Sequence, residues 1–223
     1  MTKILAIDTA TERCSVALRV NGESIDRVVD TPRGHADLIL SLIDGVLLDA
    51  GMKLTDLDGI AYGRGPGAFT GVRIAIGVVQ GLAFGASLPT VGVSNLAAVA
   101  QQIAKPDDRV LVCMDARMNE VYWGLFTCNH ATRLVTAASA ERVGAPTTVD
   151  VGLAPPTVAA GTGFGAYPEL TAVFGGIVIH PGTLPRATEI ALLGEAALRA
   201  GEGRPAHEAQ PVYLRDQVAV AKK

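Results

Sequence analysis

Residues 3–30 read KILAIDTATERCSVALRVNGESIDRVVD, three strand-length segments separated by two polar breaks. Lys3 to Asp8 is a short apolar run that closes on an acid. Cys14 to Val20 follows as a second strand, and Ser24 to Asp30 as a third. Between the last two stands Asn21-Gly22, the dipeptide that best tolerates the two positive φ angles of a two-residue type I′ hairpin turn. The spacing predicts a β-meander, and Thr31-Pro32-Arg33-Gly34 ends it.

Downstream the pattern changes period. Leu38, Ile39, Leu42, Ile43, Val46 and Leu47 form a wide helical stripe over His35 to Asp49. A short buried strand, Gly59 to Tyr62, leads into the loop Gly63-Arg64-Gly65-Pro66-Gly67 and a helix over Thr70 to Gly85. Strand and helix recur at Thr90 to Val93 and Asn95 to Ala104. The polar stretch Lys105-Pro106-Asp107-Asp108 marks a domain boundary, dividing the chain into 1–105 and 106–223. Beyond it Leu111 to Asp115 (LVCMD), a turn, and Val121 to Thr127 repeat the opening arrangement, with Asp115 matching Asp8 at an offset of 107. Duplication of one β-meander lobe is the expectation. Thr157 to Ala160 and Gly176 to Ile179 read as further strands, Ala187 to Ala200 as a helix, and 211–215 has no clear assignment.

Composition removes several classes. The 223 residues are 49% hydrophobic and 18% charged, which excludes disorder and allows a substantial core. Net charge is −3, against the basic face of a free-standing nucleic-acid binder. Aromatics are 4%, too few for a base-stacking platform. Three cysteines, Cys14, Cys113 and Cys128, do not make a disulfide scaffold. The expected setting is cytoplasmic. Residues 74–104 carry no charge, but Pro89, Gly85, Gly92, Gln80, Ser94 and Asn95 break them into helix, turn, strand and helix, so no membrane span is expected.

The chemistry-bearing motifs each have two readings. Asp8-Thr9-Ala10-Thr11 offers an acid, hydroxyls and backbone N–H groups that can hold a phosphate; Asp and Thr also simply make turns. The 63–67 loop can present helix N-terminal donors to an anion or can dock the next helix. In that helix Gly77, Gly81 and Gly85 fall four apart, beside an apolar ridge of Ile74, Val78 and Leu82. Interior helical glycines cost about 1 kcal/mol each relative to alanine, so close approach of another helix is the compensating gain. That helix lies in the core of the same chain or on another chain. Two multiply apolar helices in so small a chain favour the second, a surface for dimerisation. The four histidines make no helical metal pair, and no serine sits in Gly-x-Ser-x-Gly. Gly161-Thr162-Gly163-Phe164-Gly165 either approaches a nucleotide or turns a strand into a helix.

The stretches ILAIDTAT at 4–11, Arg33-Gly34-His35, and GRGPGAFTGVRIAIGVVQGLAFG at 63–85 closely resemble the TsaB (YeaZ) family. The likeness runs along the chain and is strongest over 1–105. It implies an α/β fold of the duplicated actin/Hsp70-like, ribonuclease H-like (ASKHA) class with two lobes. It implies a part in attaching threonylcarbamoyl to N6 of adenosine 37 in ANN-reading tRNAs, as a non-catalytic scaffold for the larger paralogue TsaD. In that paralogue a His-x-x-x-His metal pair follows the Gly-rich helix; by element order Asn95 and Val99 stand there, and neither is a credible replacement. No catalytic or metal residue and no required cofactor is therefore expected, with ATP or ADP held weakly, if at all, through Asp8, Thr9 and Thr11. The implied partners are TsaD, then TsaE in a ternary complex, a second copy when TsaD is absent, and tRNA only through the complex. The implied contact residues are His35, Leu38, Ile39, Leu42, Arg73, Ile74, Gly77, Val78, Gly81, Leu82 and Gly85. The alternative is a nucleotide-binding enzyme, a weak ATPase or small-molecule kinase, built on Asp8, Thr9 and Thr11.

Overall fold

The meander forms as its turn dictates. β1 (Lys3–Asp8), β2 (Arg13–Val20) and β3 (Glu23–Asp30) are antiparallel neighbours, with Asn21 at φ 54° and Gly22 at φ 92° in the hairpin. The computed structural model describes residues 2–152 and 155–215. After the meander come α1 (His35–Asp49), β4 (Gly59–Gly63), α2 (Phe69–Ala86), β5 (Thr90–Val93) and α3 (Asn95–Ile103). β4 lies parallel to β1, and β5 parallel to β4. Parallel neighbours need a long crossover, and α1 and α2 supply it. The first sheet runs β3-β2-β1-β4-β5.

The second lobe repeats this. It contains β6 (Arg109–Arg117), β7 (Glu120–Cys128), β8 (Val135–Ala137), β9 (Arg142–Gly144), β10 (Val158–Gly161), α4 (Gly163–Ala166), α5 (Pro168–Phe174), β11 (Val178–Pro181) and α6 (Ala187–Arg199). Its sheet runs β11-β10-β6-β7-β8, with β9 also paired to β7. Counted from β6, that is the strand order and the set of directions of the first sheet. The duplicated two-lobe α/β architecture is thus present.

The strand register corrects one expected correspondence. Ile7 pairs with Tyr62, which sets Asp8 beside Gly63. Val112 pairs with Ala160, which sets Cys113 beside Gly161. Matching the two terminal glycines equates Asp8 with Cys113. Asp115 lies two residues further on, beyond the matched position.

Two helices tie the lobes together. α6 follows the second sheet but packs Ile190 and Ala191 on Ile4, Ala6, Ala17 and Ala61 of the first. Gly194 leaves no room there, since a Cβ would sit 2.5 Å from that of Ala61. α3 follows the first sheet but buries Leu96, Val99 and Ala100 against Val110, Val112 and Phe126 of the second. By length and composition alone α2 could cross a membrane. Here its inward residues Val72, Ala75, Val79 and Ala83 close over the first sheet.

Candidate functional site

Asp8 ends β1 fully buried. Its Oδ1 accepts from Asn95 Nδ2 at 2.7 Å, while Asn95 Oδ1 accepts from Gly65 N at 2.7 Å. The other carboxyl oxygen, Oδ2, has no partner. Burial dominates and pushes the carboxyl up to about 6, with the Asn95 hydrogen bond opposing it. Thr9 is equally buried, and its hydroxyl donates to the Gly71 carbonyl at 2.7 Å. A Cβ on Gly71 would run into the Thr9 carbonyl, and one on Gly67 would reach Ala10 O at 2.6 Å. Ala68 N donates to Ala10 O at 2.7 Å.

The 63–67 loop is therefore a docking turn that seats the start of α2 on the β1-β2 hairpin. Its own N–H groups at Arg64 and Gly65 are spent on Val93 O and Asn95 Oδ1. This removes Asp8 and Thr9 from the expected phosphate site, because a folded-in carboxyl and hydroxyl cannot reach a ligand. Thr11 remains at the cleft edge, its hydroxyl accepting from Arg13 N at 3.2 Å. The Gly161–Gly165 segment likewise turns β10 into α4. Asn95 and Val99 are both internal, the first in the Asp8 network and the second in the apolar packing of the second lobe. Among the described residues no three His, Cys, Asp or Glu side chains gather as a metal set.

The opposite side of α2 is open. Cβ atoms added at Gly77, Gly81 and Gly85 would meet nothing within 4 Å. α1 therefore does not fill the glycine groove. Ile74, Val78 and Leu82 are half-buried beside it, as are Leu38 and Leu42 on α1. Phe84, 84% exposed, stands free at the far end. Arg73 is exposed at the near end, its guanidinium 3.6 Å over the Phe69 ring. Two of the expected contact residues leave this face. Ile39 is 1% exposed and points into the core. His35 is 8% exposed, with Nε2 2.7 Å from Thr11 O. A stripe two residues wide on α1 necessarily turns one edge inward.

Between the lobes lies a cleft of about 920 Å3. It is lined from the first lobe by Thr11, Glu12, Arg33 and Phe69, and from the second by Asp115, Arg117 and Tyr122. Residues 212–215 also line it, and the stretch 204–211 that leads to them is pinned to the first lobe. Arg204 exchanges two backbone hydrogen bonds with Thr90, at 2.7 and 2.9 Å. Gln80 donates to Ala209 O, and Gln210 N donates to the Tyr62 hydroxyl. Val212 N donates to Arg64 O at 2.8 Å. This segment is the part of the site that sequence reasoning missed. It carries no periodic pattern, and apart from one 3-10 turn over Ala206–Glu208 its bonds reach to distant parts of the chain.

A family model described as TsaD, tRNA N6-adenosine threonylcarbamoyltransferase, matches residues 29–223. The chain is 41% identical over 227 residues to tRNA threonylcarbamoyladenosine biosynthesis protein TsaB of Escherichia coli, covering 99% of this chain and 97% of that one. It is 48% identical over 122 residues to the Haemophilus influenzae protein of the same name, covering 54% and 52%. A crystal structure of an uncharacterised Pseudomonas aeruginosa protein, described as similar to peptidase YEAZ, superposes with a TM-score of 0.88 at 42% identity, covering 96% of this chain and 100% of that one.

Proposed function

The chain belongs to the TsaB (YeaZ) family of tRNA threonylcarbamoyladenosine biosynthesis proteins, and from that premise we propose that it is a non-catalytic scaffold which activates the threonylcarbamoyl transferase TsaD by dimerising with it. The observation that carries this reading is the unfilled glycine groove of α2 and its half-buried apolar flank. Glycines tolerated at about 1 kcal/mol each leave a smooth strip onto which a second helix can pack at close range. Leu38, Leu42, Ile74, Val78 and Leu82 flank it with apolar side chains. A specific interface buries about 1,600 Å2 in total, and two helices from each partner can supply that area. When TsaD is absent the same face takes a second copy of this chain.

TsaE then joins the pair, tRNA is met through the complex, and this chain needs no cofactor of its own. Its acidic balance supports an indirect role toward tRNA, since phosphate neutralisation dominates nucleic-acid affinity. The competing reading, a nucleotide-using enzyme, loses Asp8 and Thr9 to internal packing. The proposed setting is the cytoplasm.

The test is reconstitution. TsaC, TsaD and TsaE receive threonine, bicarbonate, ATP and unmodified tRNA, with and without this chain, and modified adenosine is quantified. Modification should depend on the chain and should persist with Asp8→Ala. Gly81→Asp should leave the fold intact by circular dichroism while abolishing both assembly and stimulation. Full-rate modification without the chain overturns the proposal.

A further inference from the structure

Beyond the single Arg204–Thr90 bridge, the segment 204–215 pairs with neither sheet, yet it touches both lobes. On the first lobe Tyr213 accepts from Arg73 Nε at 2.7 Å and stacks on Phe69 at 5.6 Å between ring centroids. The Val212 carbonyl sits so close to Gly65 that a Cβ there would lie 2.9 Å away. Two residues on, Arg215 reaches the second lobe. Its guanidinium pairs with Glu120 and donates to Ala116 O at 3.2 Å, and it approaches Met118 Sδ at 3.8 Å. These groups surround the β6-β7 turn, where Arg117, Met118 and Asn119 all hold positive φ. The strap thus spans the cleft rim, with an aromatic-cation joint at one end and a charged, hydrogen-bonded joint at the other.

We propose that residues 211–215 form an interlobe latch that fixes the opening of the cleft and reports it to the partner-binding face of α2. The connection follows from where the first joint sits. Phe69 opens α2 and Arg73 lies one turn further on, one helical turn before Gly77 at the head of the groove. With the latch in place, Arg73 is held between Phe69 and Tyr213. With Arg215 released, the tether to the second lobe is lost, and Tyr213 has only the first lobe to hold it. The coupling half of this inference rests on the scaffold reading above; the latch half does not.

Spin labels placed through Arg33→Cys and Arg117→Cys stand on the cleft lining of opposite lobes, and the three native cysteines are buried. Double electron–electron resonance on the full chain should give one narrow distance. Combining Tyr213→Ala with Arg215→Ala should broaden it and shift it to longer values. Glu120→Gln, which leaves the strap sequence untouched, should broaden it less and serves if the double variant fails to fold. Unchanged distributions in folded variants overturn the latch. Adding TsaD should narrow the distribution of the double variant, and Arg215→Ala should weaken TsaD affinity about tenfold. No narrowing and no loss of affinity overturn the coupling. TsaD that does not bind even the unaltered chain removes the scaffold reading and the coupling with it, and leaves the latch to be judged on the distances alone.

Discussion

The two lobes share one strand order and put it to different uses. In the first, the position at the end of the central strand holds a carboxyl, Asp8; in the second, the matching position holds a thiol, Cys113. Both are fully buried, and burial pushes both up in pKa. The first lobe supports its polar group with Asn95 and keeps two long crossover helices, α1 and α2. In the second, β9 and a single 3-10 turn stand where α1 would be, and the α2 counterpart shrinks to the four and seven residues of α4 and α5. The open apolar face is carried by the very helices that the second lobe lacks. Duplication supplied the frame, and only one copy carries an open apolar helical face.

Transplanting the acid should break the comparison most severely. Cys113→Asp buries a carboxyl with no Asn95 beside it, and should cost about 4 kcal/mol near neutral pH, measured by urea denaturation. The deficit should shrink at acid pH, where the carboxyl is neutral. Gly71→Ala comes next. A methyl group against the Thr9 carbonyl must push α2 off the hairpin, at a cost of about 3 kcal/mol. An unchanged midpoint would mean that the docking turn yields freely.

Asp8→Asn should act in the opposite direction. The native carboxyl holds its proton up to about 6 in the folded chain, against an ordinary 3.8. Native stability therefore falls as pH rises between those values and is level above them. At about 1.4 kcal/mol per pH unit, the buried charge costs about 3 kcal/mol at neutral pH. The unpartnered amide of asparagine returns part of that, leaving a net gain of about 1 kcal/mol at pH 7. Below pH 4 the charge cost is gone and only the amide's remains, so the variant should become about 2 kcal/mol less stable than the native chain, and denaturation at both pH values checks it. Gly77→Ala should have the smallest effect on folding. With open space at its Cβ, it should stabilise the isolated chain by up to about 1 kcal/mol, yet weaken assembly by roughening the groove. A variant that gains stability and assembles as well as before would mean that the groove is not the contact.

Local pattern carried the elements. The Asn21-Gly22 turn, the 35–49 helix and the second apolar helix, which runs only a residue beyond the expected 70–85 at each end, all rest on interactions within a few residues, which periodicity and turn chemistry encode. The repeat of strand order was legible for the same reason, though its register was not. Equating Asp8 with Cys113 needed the pairing of β1 with β4 and of β6 with β10, across about fifty residues each time.

The candidate site was legible only as a set of residues. That Asp8 and Thr9 are sealed depends on Gly63 and Gly71, some sixty positions away. That Ile39 and His35 turn inward while Leu38 and Leu42 stay half-exposed depends on where α1 settles on the sheet. The strap along the cleft draws its partners from five elements up to 148 residues distant. One chain determined by itself which segments are helical, which are extended and which glycines leave a groove. Only the tertiary structure decided which of those groups stay open on the surface and which are spent on packing, because burial is a property of what the rest of the chain places opposite each side chain.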